Sequence, residues 1–230
     1  MDILIFGATG MVGQSVLREC LGAHDVGRVV AVGRRRAETA LPRLTNLLTP
    51  DLSDLSPIAA QLAPFDACFF CLGVSSIGMS EADYTRVTHD LTLNAARTLV
   101  RSNPQMTFTY VTGAGTDSSG NGKSMWARVK GRTENELLSL GFKGAYMFRP
   151  GVIQPMHPVR SKTLAYRAAY MLAAPLFRIM RALRPQSMVT SVEIGLAMLA
   201  VARSGYRHPI LEVADIKQAA RNRALVMRVR

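Results

Sequence analysis

Gly7-Ala8-Thr9-Gly10-Met11-Val12-Gly13 follows directly on the apolar run Ile3-Leu4-Ile5-Phe6 and leads into Val16, Leu17, Cys20 and Leu21. A glycine turn between a buried strand and a helix can do one particular kind of chemistry. One glycine permits a tight turn, the next lets backbone approach a ligand, and the third lets helix and strand pack closely. The helix start adds unsatisfied N–H groups and the positive end of its dipole, which together stabilise an anion such as a pyrophosphate. Gly7, Thr9, Gly10, Met11, Val12 and Gly13 are therefore candidate ligands for a dinucleotide cofactor. The spacing is G-x-x-G-x-x-G rather than G-x-G-x-x-G. An ordinary strand-to-helix turn is the alternative.

A second set of reactive side chains follows the next apolar run. Val29-Val30-Ala31-Val32 ends in Gly33-Arg34-Arg35-Arg36. A carboxylate at this strand end would accept hydrogen bonds from the ribose hydroxyls of NAD, whereas an arginine would pair with the 2′-phosphate of NADP. Arg34 and Arg35, with Arg36 beside them, argue for NADP (NADPH) over NAD. Which of the three meets the phosphate is open, and a solvated basic turn is the other reading. Cys71-Leu72-Gly73 closes a third apolar run, and backbone there would face the ribose and nicotinamide half. Thr112-Gly113-Ala114-Gly115-Thr116-Asp117-Ser118-Ser119-Gly120 is a polar, glycine-rich loop. Its Asp117, Ser118 and Ser119 could move a proton. Lys130 lies four residues beyond Trp126, so on a helix both share one face.

These residues need elements to hold them. Apolar runs predict strands at 3–6, 29–32, 44–48, 66–72, 106–111 and 145–148, with a last one at 210–213. Helices are predicted at 15–21, 55–62, 124–140 and 191–202, and a long one begins at Ser80 as N-cap. The buried side of that long helix is expected at Val87, Leu91, Leu93, Ala95, Ala96, Leu99 and Val100, with Asn94 either a support of the site or, as is more frequent, a surface residue. A basic tail would run to Arg230. Alternating strands and helices predict an α/β fold, a doubly wound, mostly parallel sheet of the Rossmann type with a small helical C-terminal cap. Residues 1–230 read as one domain. Residues 155–190 form a helical cap on the substrate side, divided by Pro155, Pro158, Pro175 and Pro185. Within it, Tyr166 to Leu183 has the pattern of a basic amphipathic helix: a substrate lid, a homodimer face or a membrane-surface helix, or a packed cap with solvated arginines.

The N-terminal Gly-Ala-Thr-Gly-x-x-Gly, Cys71-Leu72-Gly73, the Trp126-x-x-x-Lys130 helix and Arg149-Pro150-Gly151-Val152 together resemble the atypical and extended short-chain dehydrogenase/reductases. The similarity points to the branch of Tat-interacting-protein-like oxidoreductases and small bacterial NAD-dependent epimerase/dehydratase proteins. It implies an NADP(H)-binding oxidoreductase-like protein. It also adds cofactor positions: Asp51 and Leu52 at the adenine, with Asp51 equally readable as a helix cap, and Thr112, Lys130, Arg149, Pro150 and Gly151 further along the sheet.

The family's familiar members use Tyr-x-x-x-Lys, in which the tyrosine exchanges the substrate proton and the lysine holds the nicotinamide ribose. Here the tyrosine position is Trp126, whose indole N–H donates a hydrogen bond but does not ionise usefully. Lys130 retains the lysine role, or is a solvated helix lysine. Three routes keep an enzyme in view. A flavin or quinone acceptor could take its proton from water, Ser118, Ser119 or Asp117 could act instead, or Tyr84 could swing in. The competing class is a non-catalytic NADPH-sensing regulator or scaffold.

At 230 residues and 48% hydrophobic content the chain can bury a sizeable core. A first strand at residue 3 leaves no room for a signal peptide, and no apolar run reaches membrane-spanning length, so the expected location is cytoplasmic, with peripheral membrane contact as an option. Cys68 and Cys71 have C-x-x-C spacing but would point to opposite faces of a strand, which suits buried thiols rather than a metal clip. The net charge of +12 is uneven, because no acidic residue falls between Glu136 and Glu193. An anionic partner is implied: a phosphate cofactor or an anionic membrane surface. No nucleic-acid-binding signature is present. The small-molecule substrate is not legible.

Overall fold

The runs Ile3–Phe6, Val29–Val32 and Ala67–Phe70 are apolar on both faces, and strands of that kind are stable only with helices over both sides. The computed structural model describes residues 1–37, 42–156 and 187–228, with side chains to residue 222. Strands β1 (Ile3–Phe6), β2 (Val29–Gly33), β3 (Leu44–Leu48), β4 (Ala67–Phe70), β5 (Thr107–Val111), β6 (Gly144–Phe148) and β9 (Ile210–Leu211) form one sheet in the order β3-β2-β1-β4-β5-β6-β9. Every neighbouring pair is parallel. All seven carboxyl ends therefore open on one edge. The doubly wound expectation is borne out.

Alternation along the strands separates two cores. Ile3, Ile5, Val29, Ala31 and Phe69 pack under helices α1 (Met11–Gly22) and α6 (Ser191–Ser204), with α7 (Val213–Arg228) beyond them. Leu4, Phe6, Val30, Val32 and Phe70 face α4 (Leu91–Ser102) and the end of α5 (Met125–Ser139). Phe6, Phe70 and Phe108 make an aromatic layer on this second side, with ring centroids 5.2 and 5.8 Å apart. Cys68 belongs to the second core and Cys71 packs against the first, so the C-x-x-C pair does straddle the sheet. Burial pushes both thiols up, Cys71 to about 12.

Several boundaries differ from expectation for identifiable reasons. Helix α1 begins at Met11 rather than Ser15, because Gly10 is itself the N-cap and its carbonyl accepts the Gln14 N–H at 2.8 Å. Residues 56–62 are a 3₁₀ turn containing Pro57 followed by the short α2 (Ala59–Leu62), not one helix. The long helix is α3 (Glu81–Thr85), a π turn (Arg86–Asp90) and α4, capped as expected by Ser80, whose hydroxyl accepts the Asp83 N–H. The wider π turn shifts the phase of the apolar stripe. Val87 consequently stands 39% exposed rather than buried, while Asn94 is exposed as expected. The expected strand at 210–213 stops at Leu211 because Val213 begins α7, and the expected tail is helical to Arg228.

Of the expected cap, residues 157–186 lie outside the described residues, the stretch from Tyr166 to Leu183 among them. Its flanks are not helical. Strand β7 (Val152–Gln154) pairs in parallel with β8 (Met188–Thr190), and a capping box between Thr190 and Glu193 starts α6. No helix among the described residues is long and apolar enough to cross a membrane.

Candidate functional site

Gly7 closes β1 with φ +80°, a left-handed conformation that L side chains rarely adopt. A Cβ there would also sit 2.8 Å from the backbone of Cys71 and Leu72. At Gly13 a Cβ would stand 2.1 Å from the Gly7 carbonyl oxygen. Only bare backbone fits at either position. The result is a concave turn whose far wall is the carboxyl end of β4 and whose floor is the start of α1. No side chain caps that helix start, and Gly10 and Thr9 are exposed there. Thr9 contributes its carbonyl to the Gln14 side chain at 2.8 Å. Met11 and Val12 are half-buried in the first helical turn.

The neighbouring strand ends surround this turn. Arg34, Arg35 and Arg36 are exposed where the chain leaves β2, and none forms an ion pair with a described residue. Asp51, just past β3, is exposed, and its Oδ1 accepts from the Ser53 hydroxyl at 2.6 Å and the Ser53 N–H at 2.7 Å. Those bonds hold its carboxyl below the ordinary aspartate value. The turn is local, so Asp51 does not cap α2. Leu52 sends its side chain into the core, leaving only backbone to face a ligand. Leu72 is half-buried and Gly73 is exposed, with open space where a Cβ would be.

The loop after β5 is shaped by α5. Gly131 allows the helix to approach so closely that a Cβ would lie 1.8 Å from the Asp117 carbonyl oxygen. Trp126 is half-buried, its ring 3.8 and 3.7 Å from the Cβ positions of Gly113 and Gly115. One turn on, Lys130 Nζ donates to the Thr112 carbonyl at 3.0 Å and lies 5.9 Å from the centre of the Tyr110 ring. Burial lowers the Lys130 pKa to about 8 despite the opposing pull of Glu134. Lys130 is thus not a solvated surface lysine.

Behind Lys130 is a charge network that sequence reasoning missed. Glu134 is 0% exposed and receives Arg149 Nε at 3.1 Å on both oxygens, together with a short Nη2 contact. The Thr112 hydroxyl donates to Glu134 Oε1 at 2.6 Å. Arg149 also donates to Ser118 Oγ at 2.5 Å and to Glu212 Oε1 at 3.3 Å. Burial works against the guanidinium charge, but the Glu134 and Glu212 carboxylates outweigh it and raise the pKa. Arg149 therefore faces its own protein. Pro150 accepts the Ala114 N–H at 2.8 Å, and Gly151 packs against the Ser187 carbonyl, both tying the loop after β6 into the site.

The side chains expected to move a proton are occupied. Ser118 Oγ accepts from Arg149, and Ser119 Oγ donates to Asp117 Oδ1 at 2.6 Å. Asp117 also takes the Gly122 N–H at 2.6 Å, and its carboxyl lies below the usual range because of the Ser119 and Gly122 bonds. Tyr84 is 1% exposed and its hydroxyl pKa is raised by burial, so swinging it to the site would mean opening the core between α3 and α5. Among the described residues, no group of three or more metal-ligating side chains is assembled.

Comparison with known proteins agrees with this fold. The chain is 30% identical over 155 residues to "Protein fmp52-1, mitochondrial" of Aspergillus oryzae, covering 65% of this chain and 64% of that one. It is 29% identical over 154 residues to "Protein HTATIP2" of Rattus norvegicus, covering 66% and 62%. The matches thus span somewhat less than two thirds of these relatives. Among solved structures, a short-chain dehydrogenase/reductase family oxidoreductase from Burkholderia thailandensis superposes with TM-score 0.66 at 18% identity, covering 100% of this chain and 97% of that one. The Bordetella bronchiseptica enzyme WbmF, solved in complex with NAD+, gives 0.67 at 15% identity, covering 96% and 77%. The family model for NAD dependent epimerase/dehydratases matches residues 3–121, more than half of the chain, and the protein belongs to that family.

Proposed function

We propose that the protein binds a nicotinamide dinucleotide along the carboxyl edge of the sheet, with NADP(H) preferred over NAD(H), and acts in hydride transfer of the short-chain dehydrogenase/reductase type. The observation that carries this reading is the turn at Gly7 and Gly13, a backbone cradle that any Cβ would fill. Gly7, Thr9, Gly10, Met11, Val12 and Gly13 would hold the pyrophosphate at the start of α1. Asp51 and the Leu52 backbone would meet the adenine, and Arg34 and Arg35, with Arg36 in reserve, the 2′-phosphate. Cys71, Leu72, Gly73 and Lys130 would serve the ribose half, with Thr112, Pro150 and Gly151 beyond. The cofactor supplies the hydride. Lys130 supplies a half-buried ammonium at the adjoining edge, and Trp126 supplies a wall but no exchangeable proton.

One observation favours a second reading, an NADPH sensor without turnover. Trp126 replaces the usual acid, and Ser118, Ser119 and Tyr84 are each engaged or buried. The three cysteines, none of them in a disulfide, suit a reducing compartment under either reading.

Trp126 is the single tryptophan, so its emission reports the site. Titrating NADPH and NADH by that signal should show NADPH tighter by about 1.5–3 kcal/mol, the range for hydrogen bonds to charged groups. Equal affinities would overturn the arginine argument, and binding of neither would overturn the cofactor reading. Consumption of NADPH with a carbonyl, quinone or flavin acceptor separates enzyme from sensor.

A further inference from the structure

Arg149 and Glu134 form a buried pair that stability alone does not explain. Two charges withdrawn from water are an expensive way to fill a core, and apolar residues of similar size often do as well or better. The pair is also not isolated. Glu134 lies four residues beyond Lys130 on the same face of α5, and Thr112 joins the two. Its hydroxyl donates to Glu134 Oε1 at 2.6 Å, while its carbonyl accepts Lys130 Nζ at 3.0 Å. One backbone residue at the end of β5 thus touches both the carboxylate and the ammonium.

We propose that Glu134, clamped by Arg149 and Thr112, is a positioning residue that keeps the Lys130 ammonium charged and aimed at the carboxyl edge. The inference rests on the reading of Lys130 as a cofactor ligand. Among the described residues, the titratable groups set against Lys130 are Glu134 on its own helix and Tyr110 on β5, whose ring centre is 5.9 Å from Nζ, with Arg149 bonded to Glu134. Burial favours the neutral amine, and Glu134 is the carboxylate that opposes it. Arg149 prevents the carboxylate from turning away. Its assignment thereby moves from contacting the cofactor to acting through Glu134. Ser118, held by the same guanidinium, ties the β5 loop into the device.

The test measures Lys130 directly. The cofactor-free protein is acetylated briefly across a pH series, and modification at Lys130 is quantified by peptide mass spectrometry. The midpoint should lie near 8 in the parent, and Glu134→Gln should lower it by about one pH unit, leaving roughly fivefold more free amine at pH 7. Glu134→Asp should restore most of the shift. The paired replacement Glu134→Met with Arg149→Met leaves neither member of the ion pair buried alone and carries the test if Glu134→Gln does not fold. NADPH affinity should fall about twofold at pH 7 and roughly tenfold at pH 9 in the lowered variants, as the charged fraction of Lys130 does. An unchanged midpoint in a folded variant overturns the proposal. A lowered midpoint with unchanged NADPH affinity instead overturns the cofactor assignment of Lys130 and leaves the coupling standing.

Discussion

Trp126 concentrates the question of catalysis in one side chain. Indole does not exchange a proton at useful pH, so Trp126→Phe should leave NADPH affinity and any turnover within roughly tenfold, whereas a lost acid or base typically costs about 10²–10⁴-fold. Trp126→Tyr rebuilds Tyr-x-x-x-Lys on the same face of α5 and should introduce carbonyl reduction; steady-state assays of both variants decide. Lys130 offers a prediction in pH. Its folded pKa of about 8 lies below the ordinary 10.5, so the unfolded chain holds the extra proton between these values and stability contributed by this group rises with pH across that window. The raised Cys71 and Tyr110 values work the opposite way at higher pH. Only the difference between parent and Lys130→Met therefore isolates the lysine. In urea titrations Lys130→Met should be the more stable below pH 8, with the gap closing towards pH 10.5. A pH-independent gap would show that Lys130 is not desolvated. At this scale the sequence revealed the lysine but not its partners. Glu134 and Arg149 are fifteen residues apart on different elements, and a glutamate in a polar helix reads as solvated until β6 is seen to run alongside.

Element contacts account for the rest of the site's shape. Gly131 is where α5 meets the β5 loop, and Gly131→Ala would drive a methyl into the Asp117 carbonyl. Such overpacking costs about 1–3 kcal/mol. Urea unfolding should show that loss, and Lys130 reactivity should change with it because helix and loop separate; a neutral substitution would mean that the contact relaxes freely. The glycine trio was legible because turn chemistry is local and each glycine has a steric reason. Strands were legible because they are continuous apolar runs. The π turn at Arg86–Asp90 was not: it leaves no mark in composition, and it displaced Val87 from the stripe assigned to it. The close approach at Gly131 was equally silent, since it depends on a loop fourteen residues earlier.

Charge is a property of the whole molecule. No acid falls between Glu136 and Glu193, and Lys143, Arg160, Lys162, Arg167, Arg178, Arg181 and Arg184 remain there once Arg149 is assigned to its two glutamates. We propose that this excess draws the protein to anionic surfaces. Co-sedimentation with phosphatidylserine vesicles should be strong at low salt and vanish as the Debye length shortens. No binding at low salt would show that the excess serves only solubility. The doubly wound sheet itself was readable from the alternation of strands and helices, because parallel neighbours require crossovers and those crossovers are the helices.

The β7–β8 pair has a bearing on how such a protein diversifies. Val152–Gln154 and Met188–Thr190 lie side by side in register, so the intervening chain enters and leaves at fixed points whatever its content. Closing a longer loop between anchored ends is thermodynamically mild, about 0.6 kcal/mol for each doubling of length. Insertions, deletions and wholesale exchange can therefore accumulate between the two anchors with little effect on the glycine cradle. Selection can thus draw new substrate chemistries from one inherited cofactor platform, with the two short strands as the seam at which old and new sequence are joined.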